Sequence, residues 1–135
     1  MTLPVTAFVG AVCALLLLFT AMLTVRQRLR LSAAFGDHGD AKLIAASRSH
    51  GNLAEHAPIV VILLGLLESA RANHMALMAL GALFLIGRIA HIAGLHAPVE
   101  PGKPPVTRQI GVAATWITLL ALAGWTLWML ATVNL

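Results

Sequence analysis

The segment Arg48-Ser49-His50-Gly51-Asn52-Leu53-Ala54-Glu55-His56-Ala57-Pro58 runs directly into Ile59-Val60-Val61-Ile62-Leu63-Leu64-Gly65-Leu66-Leu67. The second half is membrane filler. The first half places an arginine, an amide, a carboxylate and an imidazole at its mouth. Positions 48, 52, 55 and 56 stand at i, i+4, i+7 and i+8, which share one face of an α-helix. A polar, mixed-charge stripe therefore enters a lipid-soluble helix. Ionisable groups at such depth are costly, and they face a bundle interior or a watery cavity.

The rest of the chain has the same character. Of its 135 residues 59% are hydrophobic and only 10% are charged, where soluble domains carry roughly 25% charge. This composition predicts an all-α integral membrane protein. The length fits one compact unit, so residues 1–135 read as a single domain. The net charge of +4 does not point to nucleic acid. The basic residues flank apolar segments, where topology and anionic headgroups account for them, and no aromatics are interleaved with them. Cys13 stands alone in an apolar segment and reads as a small buried hydrophobe. No charge precedes Arg26, and the apolar run over residues 3–25 exceeds a signal-peptide core, so it reads as a permanent transmembrane helix.

Four transmembrane segments emerge. The first, residues 3–25, is closed by Arg26, Arg28 and Arg30. The loop Phe35-Gly36-Asp37-His38-Gly39-Asp40 supplies turn chemistry. The second helix starts at Asp40 or Ala41, with Asp40 as N-cap, and runs to about Ala70. Pro58 inside it removes a backbone donor and predicts a kink. The third segment covers residues 75–96 and carries Arg88 and His91. A proline-rich loop, residues 97–105, separates it from a fourth helix that starts at Val106 or Thr107 and continues to the C-terminus. There Trp125 and Trp128 suit a membrane interface. The small residues Gly81, Ala82 and Gly87, and Ala121, Ala123 and Gly124, permit close helix contact. Glu68 and Arg71 are predicted to pair at i, i+3, and Met75, Met78 and Met129 to face lipid or fill packing gaps. The basic residues sit mainly in the first and third loops. The positive-inside rule then places those loops in the cytoplasm and both termini outside it.

Arg88 and His91 share a face of the third helix at about the depth of the stripe. Arg108 opens the fourth helix on the same side, where Arg26 closes the first. Two explanations compete. In the structural one, Glu55 pairs with Arg88 or Arg48 and Asn52 hydrogen-bonds across helices, fixing register. In the functional one, Arg48, Arg88 and Arg108 outnumber Glu55 and await an organic anion whose carboxylates arginine can grip bidentately. His38, His50, His74 and His96 read as loop or helix-end polar residues, because no set has metal spacing.

The pattern Arg48-x-x-x-Asn52-x-x-Glu55-His56-x-Pro58 resembles the second-helix motif of the MAPEG superfamily, the membrane-associated proteins in eicosanoid and glutathione metabolism. Gly87-Arg88-Ile89-Ala90-His91 is similar to that family's third-helix Arg-x-x-Tyr or Arg-x-x-His. The resemblance covers nearly the whole chain, and the loop over residues 35–40 looks like the bacterial branch. It implies a homotrimer of four-helix protomers in the bacterial inner membrane, with glutathione as co-substrate between protomers, open to the cytoplasm. By motif match, Arg48, Asn52, Glu55 and His56 would hold glutathione, Arg88 and His91 would line the site, and Arg26 is a looser match after the first helix. Arg108 matches the arginine credited with stabilising the thiolate. The chain contains no tyrosine, so His56, His91 and Leu95 stand where family members carry one.

The implied function is a glutathione-dependent membrane transferase or peroxidase acting on lipophilic small-molecule electrophiles that arrive from the lipid. The alternatives are a non-catalytic membrane protein binding glutathione or another organic anion, and a purely structural bundle. A transporter is the weakest reading, because the sequence shows no inverted repeat.

Overall fold

The computed structural model describes residues 2–98 and 102–133. Part of the expected proline-rich loop (Val99, Glu100 and Pro101) and the last residues of the expected fourth helix lie outside them. Four helices follow one another: α1 (Pro4–Leu31), α2 (Ala41–Ser69), α3 (His74–His96) and α4 (Val106–Val133). All four are long and apolar enough to cross a membrane.

Local chemistry sets the helix ends. Asp40 caps α2 as expected, its carboxylate accepting from the Leu43 N–H at 2.9 Å. Asn73 caps α3, accepting from the Ala76 N–H at 3.0 Å. α1 runs beyond residue 25, where the apolar run stops. Arg, Gln and Leu are all good helix formers, and the helix carries them out of the apolar zone. It ends at Ser32, whose φ of 51° turns the chain while the Ala33 N–H bonds the Arg28 carbonyl at 2.9 Å. α2 continues through Pro58.

The expected Glu68–Arg71 pair does not form. The Glu68 carboxylate instead reaches across to the start of α1. It accepts from the Val5 N–H at 2.9 Å, the Thr6 N–H at 2.8 Å and the Thr6 hydroxyl at 2.7 Å. These are the orphan donors that every helix N-terminus exposes, and the dipole there favours an anion. A surface pair with Arg71 offers far less. Arg71 sits exposed in the turn, at φ 58°.

α2 and α3 form the short diagonal of a rhomb, with α1 and α4 at the far corners, each touching both central helices. The core lies along this diagonal, with Leu53, Val60 and Leu64 of α2 and Leu77 and Phe84 of α3 closed by Val9 of α1 and Leu122 of α4. Leu15, Leu18, Trp116 and Leu120 point outward, as lipid-facing residues must. Met75, Met78 and Trp128 do likewise, whereas Trp125 and Met129 pack against the core.

α3 and α4 meet along a seam of small residues. A methyl group on Gly87 would stand 2.7 Å from the Cβ of Ala114, and one on Gly111 would stand 2.6 Å from the Gly87 carbonyl and the His91 Cβ. Gly81 makes a similar approach to Val9 of α1. Gly124, expected to serve such a contact, faces open space.

Candidate functional site: a buried cation between three helices

Arg88 projects from α3 into the junction of α2, α3 and α4 and is only 2% exposed. Its Nη1 donates to the Asn52 side-chain carbonyl at 2.6 Å and lies 3.5 Å from the Asn52 backbone carbonyl. Its Nη2 donates to the Gly111 carbonyl at 3.1 Å and to the Thr115 hydroxyl. The Thr115 hydroxyl itself donates to the Gly111 carbonyl at 2.9 Å. Nε has no partner among the described residues. The guanidinium also stands 5.7 Å from the ring centroid of Phe84, one turn back on α3.

Every acceptor in this set is neutral. Neither Glu55 pair of the structural explanation is present, because Glu55 and Arg48 both lie on the exposed face of α2 and form no ion pair among the described residues. The cause is helical phase. Residues 49, 53, 57, 60 and 64 turn α2 toward the core, and a 100° step puts 48 and 55 well round the cylinder with Ile59, Ile62 and Leu66. Asn52 sits at the edge of the two faces, which is why it, rather than Arg48 or Glu55, reaches Arg88. The cross-helix bond expected of Asn52 is present.

The two histidines of the motif are held by backbone carbonyls. His56 Nδ1 lies 2.7 Å from the Asn52 carbonyl, and His91 Nδ1 lies 3.5 Å from the Arg108 carbonyl. A carbonyl only accepts, so each Nδ1 carries the proton. In the neutral ring Nε2 is then left as an acceptor. A tyrosine hydroxyl could donate from the same place.

Arg108, in the first turn of α4, is exposed and lines a cavity of about 510 Å³ with Gln109, Val112, Ala113 and Trp116 on the outer side of that helix. The structure thus gathers Asn52, His56, Arg88, His91 and the backbone of Arg108 at one level. Arg48 and Glu55 face outward beside them. Arg26 is exposed on α1 and has no hydrogen bond or ion pair to any of the others. Gly111 and Thr115 escaped sequence reading. Their signal was a hydroxyl four residues after a glycine, inside an apolar helix at the depth of Arg88.

Residues 6–128 match the MAPEG family, reaching from the first turn of α1 nearly to the end of α4. The chain belongs to the MAPEG family. This MAPEG protein is 33% identical over 124 residues to inner membrane protein YecN of Escherichia coli strain K12, covering 92% of this chain and 91% of the relative. The same figures hold for inner membrane protein YecN of Escherichia coli O6:H1. No solved structure matches the chain significantly. As a MAPEG member, it has the membrane-spanning character that its four apolar helices require.

Proposed function

We propose that this MAPEG protein binds glutathione and presents its thiolate to lipophilic electrophiles. The observation that carries the reading is Arg88: a buried guanidinium met, among the described residues, only by neutral acceptors and with no partner for its Nε. Charge so placed is costly unless an anion completes it. Arg48 and Glu55, outward on α2 at the same level, extend the set to match a zwitterionic peptide. The guanidinium groups of Arg48 and Arg88 take its carboxylates, Asn52 and Glu55 take its amide and ammonium, and His56 and His91 line the wall. Because Arg48 and Glu55 leave the protomer, a second copy of the chain closes the site, in a homotrimer with the basic end of the bundle in the cytoplasm.

Chemistry follows from Arg108. A thiol of ordinary pKa near 8.5 is mostly protonated at neutral pH, and an adjacent guanidinium favours the thiolate. The proton leaves to water, the thiolate sulfur bonds to the electrophilic carbon, and the leaving group departs with its electron pair. The apolar cavity between Arg108 and Trp116 opens to the lipid and admits the second substrate sideways. A second reading, binding without turnover, is favoured by the two histidines, whose neutral rings offer acceptors where hydroxyl donors would assist the thiolate.

Glutathione titration of the detergent-solubilised protein, with an aryl halide and a lipid hydroperoxide assayed in parallel, separates these. Saturable binding with turnover that falls in Arg108→Ala, while binding persists, supports the transferase or peroxidase. Binding without turnover establishes the second reading. No binding at millimolar glutathione removes both and leaves Arg88 as a helix tie.

A further inference from the structure

A second concavity of about 530 Å³, which shares Arg108 with the cavity beside Trp116, lies where α2 and α4 begin and α3 ends. Lys42 and Arg108 supply cations to its wall, His96 a ring edge, and Ile44, Leu95 and Pro98 an apolar floor. None of the motif's glutathione-holding residues on α2 lines it. Among the described residues its charge is not balanced from within. The nearest carboxylate in sequence, Asp40, is engaged by Arg30 at 2.6 Å and by the Leu43 N–H, and no described carboxylate lines the cavity. Two of the three helix ends around it are N-termini, whose dipoles add positive potential. His96 is fixed in place. The Ser49 hydroxyl donates to the Ala45 carbonyl at 2.8 Å, so His96 Nε2 donates to that hydroxyl at 3.3 Å and its ring is held against α2.

The apolar floor decides the kind of anion. A free inorganic ion has no use for Ile44 and Leu95, whereas an amphiphile does. Basic pockets between transmembrane helices at the interfacial level suit phosphate headgroups, and this end of the bundle also bears Arg26, Arg28 and Arg30. We infer that the concavity is a binding site for an anionic phospholipid, with its phosphate between Lys42 and Arg108 and its acyl chains running down past Ile44 and Leu95. The site does not rest on the glutathione reading.

Native mass spectrometry of the full chain, released from neutral detergent after titration with phosphatidylglycerol, phosphatidylcholine or inorganic phosphate, tests it. Phosphatidylglycerol should be retained in preference to phosphatidylcholine. Lys42→Gln should weaken that retention roughly five-fold, the scale of one interfacial cation. Arg71→Gln, at the opposite end of the bundle, should leave it unchanged. Equal retention of the two lipids, an unchanged Lys42→Gln, or an equal loss in Arg71→Gln would overturn the assignment. Inorganic phosphate displacing the lipid at comparable concentration would overturn it in favour of a free-anion site. Glutathione displacing it would show the concavity to be the mouth of the neighbouring site.

Discussion

Two buried ionic groups sit at opposite ends of this bundle and are treated in opposite ways. Glu68 is completed: both carboxylate oxygens accept from the backbone and side chain at the start of α1, and His74 stands 3.9 Å away. Arg88 is provided for but not completed: it has neutral acceptors on two helices, and among the described residues its Nε has no partner and no carboxylate meets it. A completed network holds helices together, whereas an incomplete one stores binding capacity. Under the proposed function, the Glu68 end serves architecture and the Arg88 end recognition.

Breaking the completed end should have the largest effect on stability. Glu68→Ala strands the first donors of α1 and should destabilise the protein by about 3 kcal/mol, since hydrogen bonds to charged groups are the strong ones. Unfolding in detergent, followed by circular dichroism, measures this. Gly111→Ala drives a methyl group into the Gly87 carbonyl and His91. It should cost about 2 kcal/mol by overpacking and also shift the carbonyl that Arg88 uses. Arg88→Met is the sharpest probe. Removing a buried charge that lacks a carboxylate should leave stability within about 1 kcal/mol of the parent, while glutathione binding falls more than about ten-fold. If Arg88→Met destabilises as much as Glu68→Ala, the two ends are alike and Arg88 is a helix tie. Glu55→Gln, on the exposed face of α2, should change stability by less than about 0.5 kcal/mol, yet weaken glutathione roughly ten-fold by removing the ammonium's partner.

The smallest effect concerns pH. Asp40 has its carboxyl held below the ordinary carboxylate value, chiefly by the hydrogen bond from Arg30 and then by the Leu43 N–H it caps. A folded-state value below the unfolded one contributes stability that is fully present above about pH 4 and is lost as pH falls through the lowered value. Acid titration of Asp40→Asn should therefore show a shallower loss on the acid side than the parent. An identical acid limb would show that the Arg30 pair contributes nothing.

The fold was largely legible because apolar length sets the number of spans, and because Asp40 is a cap that reads locally. Boundaries were less so at α1, where arginines end an apolar run without ending a helix. In the site, Asn52 and Arg88 were legible as partners in kind, both being polar and deep. The phase of α2 was not. Whether Glu55 faces Arg88 or the outside depends on which stripe the core claims, and the core claims Ser49, Leu53 and Ala57. Glu68 was misread for a general reason. Its neighbour at i+3 is visible in sequence, while a helix start more than sixty residues away is brought to it only by the fold.

The glycine seam bears on how such a chain enters a membrane. The most extensive pairings are α3 with α4 and α1 with α2, so the molecule is two hairpins laid side by side. Arg88 belongs to the second, and two of its acceptors, Gly111 and Thr115, lie within that same hairpin. An insertion machinery releasing α3 and α4 together would thus set into lipid an arginine already bonded to its own hairpin. Asn52 of the first hairpin is the acceptor it has still to find, so that bond forms only as the two halves join.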